Sequence, residues 1–154
     1  MRIATLFMLS IAVLSGAPAA ADSVRVGDIA VEKAWVRASS VNVSAAYATL
    51  HNLGTEPDLL VAAASPVAGR VEIHTIVERD GRVGMKRVDS VEVAPGEPAV
   101  LQPGGLHIML MGLKRKLAPG DSIELALRFS KAGRLVIRAP VARNGAPRQP
   151  KRTH

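Results

Sequence analysis

Turn-forming residues punctuate this chain at short, even intervals, and this spacing limits its fold more than any other feature. Asn52-Leu53-Gly54, Ser65-Pro66, Asp80-Gly81, Pro95-Gly96, Pro103-Gly104 and Lys131-Ala132-Gly133 leave little room for long helices. Turns about every 8–12 residues between β-forming runs predict a β-sandwich or small barrel. The runs cover residues 29–38 around Trp35, 45–51, 59–64, 71–77, 88–93, 99–101, 105–111, 123–129 and 135–141. Only residues 106–117 could hold a helical turn. The expected class is all-β, with no internal repeat.

The two ends read differently from the body. Arg2, an apolar run over residues 3–14 and small residues at Ala19 and Ala21 have the form of a secretory signal peptide over residues 1–21, cleaved before Asp22. Ala17 stands where a lipoprotein would carry its lipidated cysteine, so the expectation is a soluble exported chain without a stable membrane anchor. Residues 22–142 form the expected β domain. Residues 143–154, with glycine, prolines and several cations, read as a flexible basic tail.

Hydrophobic residues make up 48 % of the sequence and charged residues 21 %, enough apolar material for one packed core. The chain has no cysteine. That excludes a disulfide framework, a thiolate zinc site, an iron–sulfur cluster, a thiol nucleophile and a blue-copper centre with a cysteine ligand. The net charge is +7, but Phe7, Trp35, Tyr47 and Phe129 are the only aromatics. A basic chain so poor in stacking residues is not built for single-stranded nucleic acid, and no nucleic-acid partner is expected. No Gly-x-Ser-x-Gly or His-Glu-x-x-His motif occurs, so hydrolysis finds no support.

The chemistry concentrates in a few soft donors. In a strand over His107-Ile108-Met109-Leu110-Met111, Ile108 and Leu110 face one side while His107, Met109 and Met111 face the other. A two-residue turn at Asp80-Gly81 would set Ile76 opposite Met85 and His74 opposite Arg87. His74 and Met85 then share a face as diagonal neighbours, whereas a turn longer by one residue would shift the register. Two imidazoles and two thioethers make a neutral, soft donor set of the kind that selects Cu(I), while magnesium and calcium want oxygen. Thioethers need no deprotonation and do not oxidise to disulfides, which suits work outside the cytosol.

His74, ten residues, Met85, twenty-one residues, His107, one residue, Met109: this spacing matches the H-x10-M-x21-H-x-M signature of the PCuAC family of periplasmic copper(I) chaperones. A chance match is on the order of one in ten thousand or rarer. Ala34-Trp35-Val36-Arg37-Ala38, Ala45-Ala46-Tyr47, Ala68-Gly69-Arg70-Val71-Glu72 and the stretch from Pro103-Gly104-Gly105 to Leu113 also resemble the family's recurrent blocks. The segment from Ser39 to Ser44 departs from it, lacking the proline and glycine usual there. The resemblance implies a cupredoxin-like β-sandwich or barrel with Greek-key character. It also implies one Cu(I) per chain, held by His74, Met85, His107 and Met109, with Met111 outside the ligand set. By the same resemblance the protein is a periplasmic, monomeric carrier and not an enzyme. Its expected partner is a copper-accepting protein, either the binuclear copper centre of cytochrome c oxidase or a thioredoxin-like copper assembly protein. The competing readings are copper storage, an electron-transfer protein, and a metal-free exported adhesion or scaffold module.

Overall fold

A computed structural model describes residues 23–145. The leader expected over residues 1–21, and residues 146–154 of the expected tail, lie outside them. The described residues form eleven strands: β1 (Val24–Val26), β2 (Ile29–Arg37), β3 (Val43–Asn52), β4 (Asp58–Ala64), β5 (Ala68–Arg79), β6 (Arg82–Arg87), β7 (Val91–Val93), β8 (Ala99–Leu101), β9 (His107–Leu113), β10 (Ser122–Phe129) and β11 (Gly133–Ala142). Among these residues no helix is long and apolar enough to cross a membrane.

The strands follow one open path, β6-β5-β9-β3-β2-β11-β10-β4-β7, with β1 added on β2 and β8 on β3. Its non-sequential order gives the Greek-key character, and every pairing is antiparallel except β11 with β2. The path curls until its halves face each other, so that β4 packs against β5. Between the halves lie Leu50, Leu60, Ile108, Leu110, Leu125, Leu127 and Phe129, each at most 2 % exposed. Fully burying a side chain of this size is worth about 1.5–3 kcal/mol. With no disulfide to help, this core must hold the domain.

Strict alternation would send Val31 and Trp35 to the same face of β2. They do not share one. Glu32 pairs with Thr49 and Trp35 with Tyr47, so β2 spends one residue more than β3 over this interval. Lys33 absorbs the extra residue at φ +53°. The bulge returns Trp35 to the face opposite Val31, beside Tyr47, with ring centroids 4.6 Å apart. Three other expectations change. Residues 106–117 contain no helical turn, because β9 lies between β5 and β3 and both its edges are paired. The run expected over residues 88–93 forms a strand only at Val91–Val93, against β4, while Val88 N–H donates to the Ile73 carbonyl of β5. β1 is an additional strand, too short to show a pattern in the sequence.

Two buried polar side chains fasten the open end. Asn52 donates its amide to the carbonyls of Val93 (2.9 Å) and Glu56 (2.7 Å) and accepts from Gly54 N–H, joining β3 to β7. Asp58 accepts from the backbone N–H groups of Leu59, Lys131 and Ala132 at 2.7–2.8 Å, tying β4 to the β10–β11 turn. Burial by itself would raise the Asp58 pKa. The three N–H donors and the Lys131 charge outweigh it and hold the carboxyl below its ordinary value. The folded state therefore binds this proton less readily than the unfolded chain. The stabilisation is complete above the ordinary carboxylate pKa of about 3.9 and is lost as pH falls through the lower folded value. Asp58→Ala should cost about 2–3 kcal/mol in urea unfolding at neutral pH, and the difference from wild type should shrink as the medium is acidified.

Candidate metal centre

The site begins with a turn. Asp80 and Gly81 sit at φ +52° and +70°, the left-handed pair of a two-residue type I′ hairpin. Arg79 therefore pairs with Arg82, Ile76 with Met85 and His74 with Arg87, the register expected from the sequence. Along its other edge β5 pairs with β9, placing His74 opposite His107, Glu72 opposite Met109 and Arg70 opposite Met111. The two imidazole centroids are 5.9 Å apart, with the rings tilted by 58°.

A second turn sets the orientation of His107. In Gln102-Pro103-Gly104-Gly105, Gly105 N–H donates to the Gln102 carbonyl and Gly104 takes φ +83°, as position three of a type II turn requires. The Gly105 carbonyl is thereby presented to His107, whose Nδ1 donates to it at 3.0 Å. The lone pair of the neutral ring then lies on Nε2. His74 is arranged in the opposite sense. Its Nε2 donates to Glu72 Oε2 at 2.9 Å, so in the neutral ring the lone pair lies on Nδ1. Nδ1 is buried and has no protein partner, the single side-chain nitrogen or oxygen in that condition among the described residues. A buried acceptor with nothing to accept from is costly unless it serves a ligand.

Met85, Met109 and His107 line one groove of about 370 Å³, together with Tyr47 and Ile76. His74 is not part of the groove wall; its side chain is 14 % exposed and borders His107. Met85 is 55 % exposed because β6 is a terminal strand whose residues all face solvent. Met111 is otherwise engaged: Arg70 Nη2 donates to its sulfur at 3.6 Å. His51 lies apart, 3.4 Å from Glu32, and His154 lies outside the described residues. Among those residues no group of three or more His, Cys, Asp or Glu side chains could hold a metal. The sulfur-bearing side chains lining the groove beside His107 are Met85 and Met109, thioether donors of the kind that favour soft ions.

The surroundings are polar where they set geometry and apolar where they line the groove. Glu72 is held below the usual carboxylate range, first by its hydrogen bond with His74. Burial opposes this, and Arg70 and Arg87 add to the lowering. The loop after β2 has no proline or glycine, and serine hydroxyls shape it instead. Ser39 Oγ donates to the Val43 carbonyl and Ser44 Oγ to that of Arg37, both at 2.6 Å. The loop carries Val41 and Val43 to the groove's rim. Tyr47 forms the inner wall, stacked on Trp35 with the Arg37 guanidinium 5.7 Å from its ring centroid. Sequence reasoning assigned no role to Glu72 or to the Gly105 carbonyl. Two-residue spacing on a strand, which puts Glu72 on the face of His74, was the available signal for the first.

The fold is cupredoxin-like and similar to that of PCuAC domains of known structure. Residues 29–141 match the family described as "Putative lipoprotein LpqE-like", and the chain belongs to that family. It is 36 % identical over 114 residues to "Putative lipoprotein Lxx21020" of Leifsonia xyli subsp. xyli (strain CTCB07), a match covering 73 % of this chain and 69 % of that one. Its structure resembles the copper-bound PCuAC domain of PmoF2, with a TM-score of 0.67 and 28 % identity over 81 % of this chain and 98 % of that domain. It also resembles the Cu(I) form of DR1885 from Deinococcus radiodurans, with a TM-score of 0.62 and 34 % identity over 82 % and 84 % of the two chains. In those relatives this fold binds copper.

Burial raises the Tyr47 pKa above 10.0, outweighing the opposing charge and hydrogen bond of Arg37. Tyr47 is the sole tyrosine, so alkaline absorbance titration reads it directly. The midpoint should lie above 10.0 and move higher still in Arg37→Gln, which removes the influence that lowers it.

Proposed function

We propose that this protein is an exported metallochaperone that binds one Cu(I) and passes it to a copper-accepting protein. The carrying observation is the buried, unpartnered Nδ1 of His74 beside His107, in a site that offers methionine sulfurs and no further imidazole or carboxylate cluster. The ligands in this reading are His74 Nδ1, His107 Nε2 and the sulfurs of Met85 and Met109. The copper-bound state of the PmoF2 domain and the Cu(I) state of DR1885 support the choice of cargo.

The geometry suits a carrier more than a catalyst or a store. All four donors are neutral, so Cu(I) would keep its charge and remain open to attack by an anionic thiolate of an acceptor. Met85 stands on an exposed strand while both histidines are largely covered. An acceptor could replace the outer sulfur first and draw the ion away through mixed ligand sets, without unfolding the core. Val41, Val43, Val83 and Met85 give the neighbourhood an exposed apolar edge for that contact. The acceptor classes proposed are the binuclear copper centre of cytochrome c oxidase and thioredoxin-like copper assembly proteins. A periplasmic monomer with cleavage before Asp22, a metal domain over residues 22–142 and a basic tail over residues 143–154 completes the proposal.

Competition with a chromophoric Cu(I) chelator under reductant should give one ion per chain. Met109→Ala should weaken binding by more than about 100-fold, beyond the 10–100-fold typical of residues that only surround a metal's ligands. Met111→Ala, which removes a sulfur already engaged by Arg70, should change it little. Wild-type protein that fails to compete for Cu(I) would overturn this function.

A further inference from the structure

We infer that Glu72 is the positioning residue of this site: by accepting the Nε2–H of His74 it fixes the tautomer whose Nδ1 is free to meet the ion. The inference rests on the Cu(I) reading above but makes a separate claim about the protein before any metal arrives.

An isolated neutral histidine exchanges its proton between two nitrogens, and only one of them can face a given ligand. At His107 the choice is made by the Gly105 carbonyl, which holds the proton on Nδ1 at 3.0 Å. His74 has no comparable backbone partner. Its ring nitrogens point away from each other, so a group holding one of them determines which way the other faces. Glu72 Oε2 holds Nε2 at 2.9 Å. Were the proton on Nδ1 instead, a carboxylate would face a lone pair and a buried N–H would lack an acceptor.

Glu72 is itself braced. It lies two residues before His74 on the same face of β5 and opposite Met109. Arg70 Nε stands 3.4 Å from its Oε1, and Arg87 Nη1 reaches that oxygen from β6 at 4.0 Å. One carboxylate oxygen faces the two guanidinium groups and the other faces His74. Arg70 also donates to the Met111 sulfur. The Arg70–Glu72 pair thus occupies a hard oxygen donor and a spare thioether close to the proposed ligands, leaving the two imidazoles, Met85 and Met109. A carboxylate hydrogen-bonded to the remote nitrogen of a metal-binding histidine is a recurrent device, and it also raises the basicity of the ligating nitrogen.

Nitrogen-15 NMR of uniformly labelled, metal-free protein reads each histidine tautomer directly. Wild type should show His74 protonated on Nε2 and His107 on Nδ1. In Glu72→Ala, His74 should become a mixture of tautomers and Cu(I) affinity should fall by about 10–100-fold. His107 should keep its tautomer and so report an intact β9 and turn. Glu72→Gln, whose side-chain oxygen can accept the same N–H, should retain both the tautomer and most of the affinity. Protonation of His74 on Nδ1 in wild type would overturn the inference. So would an unchanged tautomer in Glu72→Ala, or a Glu72→Gln that loses affinity as fully as Glu72→Ala while its tautomer is preserved. Failure of wild type to bind Cu(I) would remove the proposed function, yet the metal-free tautomer would still decide what Glu72 does.

Discussion

Antiparallel pairing of β5 with β9 puts His74 directly across from His107, and the rest of the site is arranged around that alignment. The register is enforced from the far side of the sheet. Ile73 pairs with Ile108 and Val71 with Leu110, and Ile73, Ile108 and Leu110 are buried in the core. A slip by one residue would turn these side chains to the solvent face and the histidines inward. Losing the burial of two isoleucines alone would forfeit about 3–6 kcal/mol, at about 1.5–3 kcal/mol each. Core packing therefore holds the donors in place without touching them.

The second alignment, between β5 and β6, is secured differently. All six residues of β6 are exposed, so little packing fixes its register. The Asp80-Gly81 turn does so, through two consecutive left-handed residues that fit a two-residue loop. The inner donors thus sit on a buried framework and the outer sulfur on an arm held by a turn and a backbone ladder. This division suits the proposed carrier, which would hold an ion and also release it. The Pro103-Gly104 turn and the carboxylate of Glu72 complete the arrangement by orienting the two rings in opposite senses.

Much of this was legible in the sequence where period and turn chemistry act locally. The alternation of His107, Met109 and Met111 with Ile108 and Leu110, and the hairpin register that brings Met85 beside Ile76, both follow from residue spacing and occur in the structure. The all-β class follows from the turn spacing. What escaped depends on distant partners. The bulge at Lys33 cannot be read from β2 alone, since it exists to match β2 to β3 and to place Trp35 beside Tyr47. The helical turn imagined within residues 106–117 gave way because β9 gains partners on both edges, a tertiary demand that outweighs local pattern. Glu72 carries no sequence signal beyond its place two residues before His74, because its hydrogen bond to that ring depends on side-chain geometry.

The proposed centre is a Cu(I) ion bound by two imidazole nitrogens and two thioether sulfurs. X-ray absorption at the copper edge of the loaded protein tests it most directly, because nitrogen and sulfur neighbours scatter distinguishably. The expected spectrum is a Cu(I) edge with two sulfur and two nitrogen neighbours per copper, and Met85→Ala should lose one sulfur without loss of nitrogen. A first shell of nitrogen and oxygen alone, or one unchanged by Met85→Ala, would contradict it.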